Sequence, residues 1–145
     1  MKKIAEKVKE LIRRYETTDP SELCDSMGII VHLHELPEKI NGFASSYDGV
    51  PFIVLNKLLG YYEKRITLAH ELGHIVLHGS TNSMSLSLNT GFCVSKYERE
   101  ADCFAAYLLL ADGRSELEDM ESVTAEDVSK ITRMPPDMVE KAFFT

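Results

Sequence analysis

Twelve residues constrain this chain more than any others: Thr67-Leu68-Ala69-His70-Glu71-Leu72-Gly73-His74-Ile75-Val76-Leu77-His78, which contain the pattern H-E-x-x-H. On a helix turning about 100° per residue, positions four apart share a face, one turn above the other. His70 and His74 can therefore aim two imidazoles at one point, as the first two ligands of a tetrahedral zinc must. Glu71 lies one step round the helix, close enough to touch a water at the metal without displacing it. That is the arrangement of a zinc hydrolase with Glu71 as general base. The pattern also arises by chance in helices, so its flanks matter. Ile66, Leu68, Ala69, Leu72, Ile75, Val76 and Leu77 predict a largely apolar, buried helix. Burying two histidines and a glutamate side by side is costly unless something pairs them, and a dication would.

A third ligand must come from elsewhere, and the helix expected from Lys96 to about Leu110 offers two glutamates. Glu98 and Asp102 are four apart and share a face, whereas Glu100 is rotated about 200° from Glu98, so both glutamates cannot serve one metal. Glu98 is assigned as the ligand. Asp102, one turn on, is then in register to accept the second ring N–H of a ligating histidine. Alone, Glu98 and Glu100 would read as solvated charges on an amphipathic helix. The position of Glu98 24 residues after His74, with Asp102 in register and Ala101, Ala105 and Ala106 permitting close helix packing, favours the ligand.

The 145 residues suit one domain with a real core, and 44% hydrophobic with 27% charged residues describe an ordinary globular chain. No stretch approaches the roughly 20 apolar residues of a membrane span. The basic start, Met1 to Lys7, leads into an amphipathic pattern rather than a signal core. Cys24, Cys93 and Cys103 are odd in number and widely spaced, which suggests no disulfide framework and a reducing, cytoplasmic setting. A net charge of −7 argues against non-specific nucleic-acid binding.

Along the chain, Ile4, Val8, Leu11, Ile12 and Tyr15 mark an amphipathic helix over 2–15. Asp19-Pro20 caps and starts a short helix that Gly28 stops. Ile29 to Leu36 reads as a strand, in which Val31, Leu33 and Leu36 suggest that His32 and His34 take the wetter face. Asp48-Gly49 joins two β-prone runs as a hairpin. Pro51 favours an edge position for the second run, near Phe52–Leu55, where an extended peptide would add by backbone pairing. Residues 80–95 are rich in serine and asparagine, a long loop with weak strand character that suits either a lid or disorder. Beyond an acidic, loop-like Arg114–Glu121, Thr124 and Pro135-Pro136 open two short helices. They look like a helix-turn-helix, but 115–145 holds three basic against eight acidic residues, which favours a packing or partner-binding tail over DNA contact.

His70-Glu71-Leu72-Gly73-His74 with Leu77-His78, followed by Glu98-x-x-Ala101-Asp102-x-Phe104-Ala105-Ala106-x-Leu108-Leu109, resembles the ImmA/IrrE family of metallopeptidases. The lead-ins Ile53-Val54-Leu55-Asn56 and Arg65-Ile66-Thr67-Leu68-Ala69 match too, so the likeness covers residues 40–111 well. The family helix typically closes Leu-Leu-Met-Pro, where this one reads Leu108-Leu109-Leu110-Ala111, and Asp102 stands where asparagine is common. The resemblance implies an α+β fold. Its core would be a small zincin-like, thermolysin-type minimal domain, with a short mixed or antiparallel sheet packed on the motif helix and a C-terminal helical pair. Residues 1–145 would form one metallopeptidase domain, with a core over 1–113 and an extension over 114–145. It also implies one Zn2+ per chain on His70, His74 and Glu98, with Glu71 catalytic and Asp102 behind a histidine. His78 and Tyr107 are possible accessory residues, and Tyr61 and Tyr62 further candidates for stabilising an oxyanion.

The implied substrate is a protein, a helix-turn-helix transcriptional repressor of a phage or mobile element, cleaved in regulated fashion. Two rivals stand beside the peptidase. One is a metal-bound regulator that inactivates a repressor without cleaving it. The other is a DNA-binding module over residues 124–144.

Overall fold

The computed structural model describes residues 2–79, 85–88, 96–113 and 123–143. Its elements run α1 (Lys2–Tyr15), α2 (Pro20–Ser26), β1 (Ile30–His34), β2 (Ile40–Tyr47), β3 (Val50–Asn56), α3 (Tyr61–His78), β4 (Ser85–Leu88), α4 (Lys96–Gly113), α5 (Ala125–Thr132) and α6 (Pro136–Phe143). The class is α+β, with a small mixed sheet. Expected features of residues 80–84, 89–95 and 114–122, the lid or disorder and the acidic loop, lie outside the described residues.

Local chemistry explains most element boundaries. Asp19 caps α2 by accepting from the Glu22 N–H, with Pro20 in the first helical position where its missing N–H costs nothing. Thr124 and Asp127 form a reciprocal capping box at the start of α5. Asp48 and Gly49 both have positive φ, 51° and 81°, as a two-residue hairpin turn between β2 and β3 demands.

The sheet order is β1-β3-β2-β4. β3 pairs in parallel with β1 and antiparallel with β2, and β4 pairs antiparallel with β2. The expected edge position of Val50–Asn56 is therefore overturned: β3 is interior, and no peptide can add along Phe52–Leu55. Pro51 does not prevent this, because pairing with β1 starts at Phe52, opposite Ile30. The expected inward face of β1 also fails in part. His32 and His34 are exposed, but so is Leu33, at 55%. β1 is one of the two edge strands, while α3 packs mainly over β2 and β3.

α3 lies between the sheet and α4, and α1, α5 and α6 close around the far side of α4. This explains why both central helices lack a polar stripe. Ile66–His74 of α3 and Ala101–Leu110 of α4 are unbroken runs of buried residues, as expected for helices covered all round. Val8, Leu23, Leu72, Phe104 and Leu108 are fully buried at the centre. α5, α6 and the connection between them bury Val128, Met134, Val139 and Ala142 in this same core. Among the described residues, no helix is long and apolar enough to cross a membrane.

Three polar devices hold α3 in place. Asn56, 2% exposed, bonds through its amide to Leu36, Pro37, Ile40 and Leu58 main-chain groups, fixing the end of β3 just before α3. Arg65 binds both Asp19 before α2 and Asp112 at the end of α4. Gly42 of β2 leaves room for the close layers: a Cβ there would lie 2.6 Å from the Val54 carbonyl oxygen and 3.0 Å from the Thr67 methyl of α3. Gly42→Ala should therefore destabilise the fold by about 1–3 kcal/mol, read as a lowered urea midpoint. An unchanged midpoint would mean that β2 and α3 are not packed this tightly.

Candidate metal centre

Helices α3 and α4 run antiparallel along one seam, so from Arg65 through His70 to His74 successive turns of α3 meet preceding turns of α4, at Asp112, Asp102 and Glu98. His70 faces Asp102 and Glu98, His74 faces Glu98, and His78 faces Glu100. Gly73 permits the approach, since a Cβ there would touch Phe104 atoms at 3.0–3.1 Å. Both histidines of the H-E-x-x-H pattern, His70 and His74, are buried, at 8% and 9% exposure.

His70 Nε2 and His74 Nε2 lie 3.2 Å apart. The Glu98 carboxylate is 3.0 Å from His70 Nε2 and 3.0 and 3.1 Å from His74 Nε2. Tetrahedral coordination with bonds of about 2.0–2.2 Å sets neighbouring donors about 3.3–3.6 Å apart. The three groups therefore fit a small dication after shifts of about 0.3 Å, and they form a potential metal-holding group on donor chemistry as well. The imidazole rings stand nearly perpendicular, at 80°, so each offers its lone pair from a different direction.

Behind this triangle, Asp102 is 3% exposed and lies 2.7 Å from His70 Nδ1. Glu71 is completely buried and close enough to act on the His70 charge. His78 Nδ1 is 3.3 Å from His74 Nδ1. Glu100 does not reach the triangle, and its Oε1 is 3.2 Å from His78 Nε2. That contact was missed from sequence: the wheel of α4 put Glu100 off the Glu98 face but could not say which turn of α3 it would meet.

Tyr107 is not brought to the site. It stands nine residues beyond Glu98, half a turn round α4, and packs edge-on against Phe143 of α6 at 5.4 Å. Tyr61 and Tyr62 lie at the other end of α3 and are largely exposed, at 69% and 48%. Of the four oxyanion candidates, only His78 is near.

The family described as IrrE N-terminal-like domain matches residues 24–141, from α2 to α6. The chain belongs to the ImmA/IrrE family. Among its relatives, "Uncharacterized immunity region protein 2" of Bacillus phage phi105 is 34% identical over 131 residues, covering 90% of this chain and 83% of that protein. "Metallopeptidase ImmA" of Bacillus subtilis strain 168 is 27% identical over 111 residues, 77% of this chain and 65% of that protein. No solved structure matches. The family and the ImmA relative point to metallopeptidase chemistry, and the donor triangle to a metal ion.

Electrostatics at this ImmA/IrrE site favour positive charge. Burial opposes protonation of His70, but hydrogen bonds to Asp102 and Glu98 and the nearby Glu71 outweigh it, pushing its pKa up to about 10. Burial likewise disfavours a charged Glu98, but its hydrogen bonds to His70 and His74 hold it well below the usual carboxylate range. The field that retains a proton on His70 is the field a dication would occupy.

The signs give a test on chelator-treated protein. The His70 contribution to stability is full below its ordinary pKa of 6.5 and is lost as pH rises toward about 10. That of Glu98 is present above its ordinary 4.5 and is lost as pH falls below it. Urea midpoints should therefore fall from pH 6.5 to 9, and His70→Gln should flatten that fall. Zinc should act in the opposite sense, stabilising more as pH rises, because its binding displaces the proton. An equally steep fall in His70→Gln would place its origin elsewhere.

Proposed function

We propose that this chain is a zinc-dependent endopeptidase with a zincin-like core, acting in the cytoplasm on a protein substrate. The observation that supports this best is the convergence of two imidazole nitrogens and one carboxylate within 3.0–3.2 Å on a buried helix seam. His70, His74 and Glu98 would hold one zinc per chain. Bound there, zinc supplies Lewis acidity, acidifying a water and polarising a peptide carbonyl. Asp102 accepts the Nδ1–H of His70 and so directs the Nε2 lone pair to the metal position. Glu71 takes the proton of the attacking water and delivers it to the leaving amine nitrogen.

The resemblance to ImmA/IrrE peptidases and the similarity to a phage immunity region protein support a transcriptional repressor as the substrate, cleaved on a signal. Metal content and cleavage test the two halves separately. Wild-type protein should carry one zinc per chain, Glu98→Ala should lose it, and Glu100→Ala should retain it at saturating zinc. Glu71→Gln should keep the metal while hydrolysis of the repressor falls by about 10²–10⁴-fold. If Glu71→Gln still relieves repression, the protein acts by binding rather than by cleavage.

A further inference from the structure

The function proposed above leaves one buried polar chain unused. His78, one turn beyond His74, has its side chain 9% exposed and its ring against Tyr97, with centroids 4.4 Å apart. Its Nδ1 meets His74 Nδ1 at 3.3 Å and its Nε2 meets Glu100 Oε1 at 3.2 Å. The direction of these contacts follows from proton counting. A neutral imidazole that offers Nε2 as a lone pair carries its proton on Nδ1. His74 Nδ1–H then donates to His78 Nδ1, which must be the lone pair. The His78 proton is therefore on Nε2, where the Glu100 carboxylate accepts it. Every contact has one donor and one acceptor. With both neutral imidazoles in the opposite tautomer, the His74 proton would point at His70 and the His78 Nε2 lone pair at a carboxylate oxygen, two acceptors facing each other.

We propose, on the footing of the metal site proposed above, that His78 and Glu100 are positioning residues for His74. Glu100 fixes the tautomer of His78, and His78 holds the His74 Nε2 lone pair toward the point shared with His70 and Glu98. Asp102 does the same for His70 in one step, with a 2.7 Å contact. The two histidines of the motif are thus oriented by different means, one by a buried carboxylate and one by an imidazole backed by a carboxylate at the rim.

The test is zinc affinity of the full chain, by competition with a chromophoric chelator, for wild type, His78→Phe and His78→Gln. Phenylalanine keeps a ring against Tyr97 but offers no acceptor, whereas the glutamine carbonyl can accept from His74. His78→Phe should bind zinc about 10–100-fold more weakly, and His78→Gln should return to within about threefold of wild type. Nitrogen-15 NMR of the zinc-loaded wild type should find the His74 proton on Nδ1 and the His78 proton on Nε2, a readout that needs no variant to fold. Wild-type affinity in His78→Phe, equal losses in both variants, or a His74 proton on Nε2 would each overturn the proposal. Failure of wild-type protein to bind zinc would instead sink the metal site itself, and this proposal with it.

Discussion

Everything chemical in this molecule depends on the contact between α3 and α4. Two helices approach closely because Gly73 has no side chain where Phe104 lies and because Ala101, Ala105 and Ala106 are small. The apolar part of that contact stabilises the fold, and its polar part is carried along. Two histidines and two carboxylates, Asp102 and Glu71, are at least nine-tenths buried there. Such groups cost several kcal/mol each when left uncompensated, so they persist only where the surrounding packing fixes their partners. Phe104, Leu72 and Leu108 supply that packing from within the same two helices.

The sheet serves this seam indirectly. It contributes no side chain to the donor triangle, but β2 and β3 form the floor on which α3 lies. Asn56 sets where β3 ends and where the chain turns toward α3, and Arg65 ties the helix to both α2 and the end of α4. A four-strand order with β3 inside places the most apolar strand, Ile53-Val54-Leu55, directly under α3. That is a packing requirement, and it takes precedence over the weak edge preference of a single proline at the start of the strand.

What could be read from the sequence was what one helix or one turn decides by itself. The spacing of His70 and His74, the register of Glu98 with Asp102, the Asp19 and Thr124 caps and the Asp48-Gly49 turn all follow from local geometry. What failed needed a second element. The edge status of β3 depends on where β1 and β4 pair, and Leu33 is exposed because α3 covers other strands. The partner of Glu100 depends on the sense in which two helices cross. Tyr107 is different: its half-turn offset from Glu98 was already in the sequence, and the same arithmetic that separated Glu98 from Glu100 would have removed it from the site.

The seam also explains why its polar groups form chains rather than isolated pairs. Antiparallel helices advance in opposite senses, so each added turn of α3 meets an earlier turn of α4. His70 and His74 therefore meet acidic residues in reverse order, Asp102 then Glu98, whereas His78 departs from that order and meets Glu100, off the Glu98 face of α4. Burial decreases along the same line, from Asp102 at 4% side-chain exposure to Glu98 at 28% and Glu100 at 32%. A charge at the deep end is compensated by a short contact to a rigid, desolvated partner. At the shallow end water can share that task, and a carboxylate can afford to act through an intervening imidazole. One helix crossing thus produces both the point where three donors meet and the gradient of support behind them.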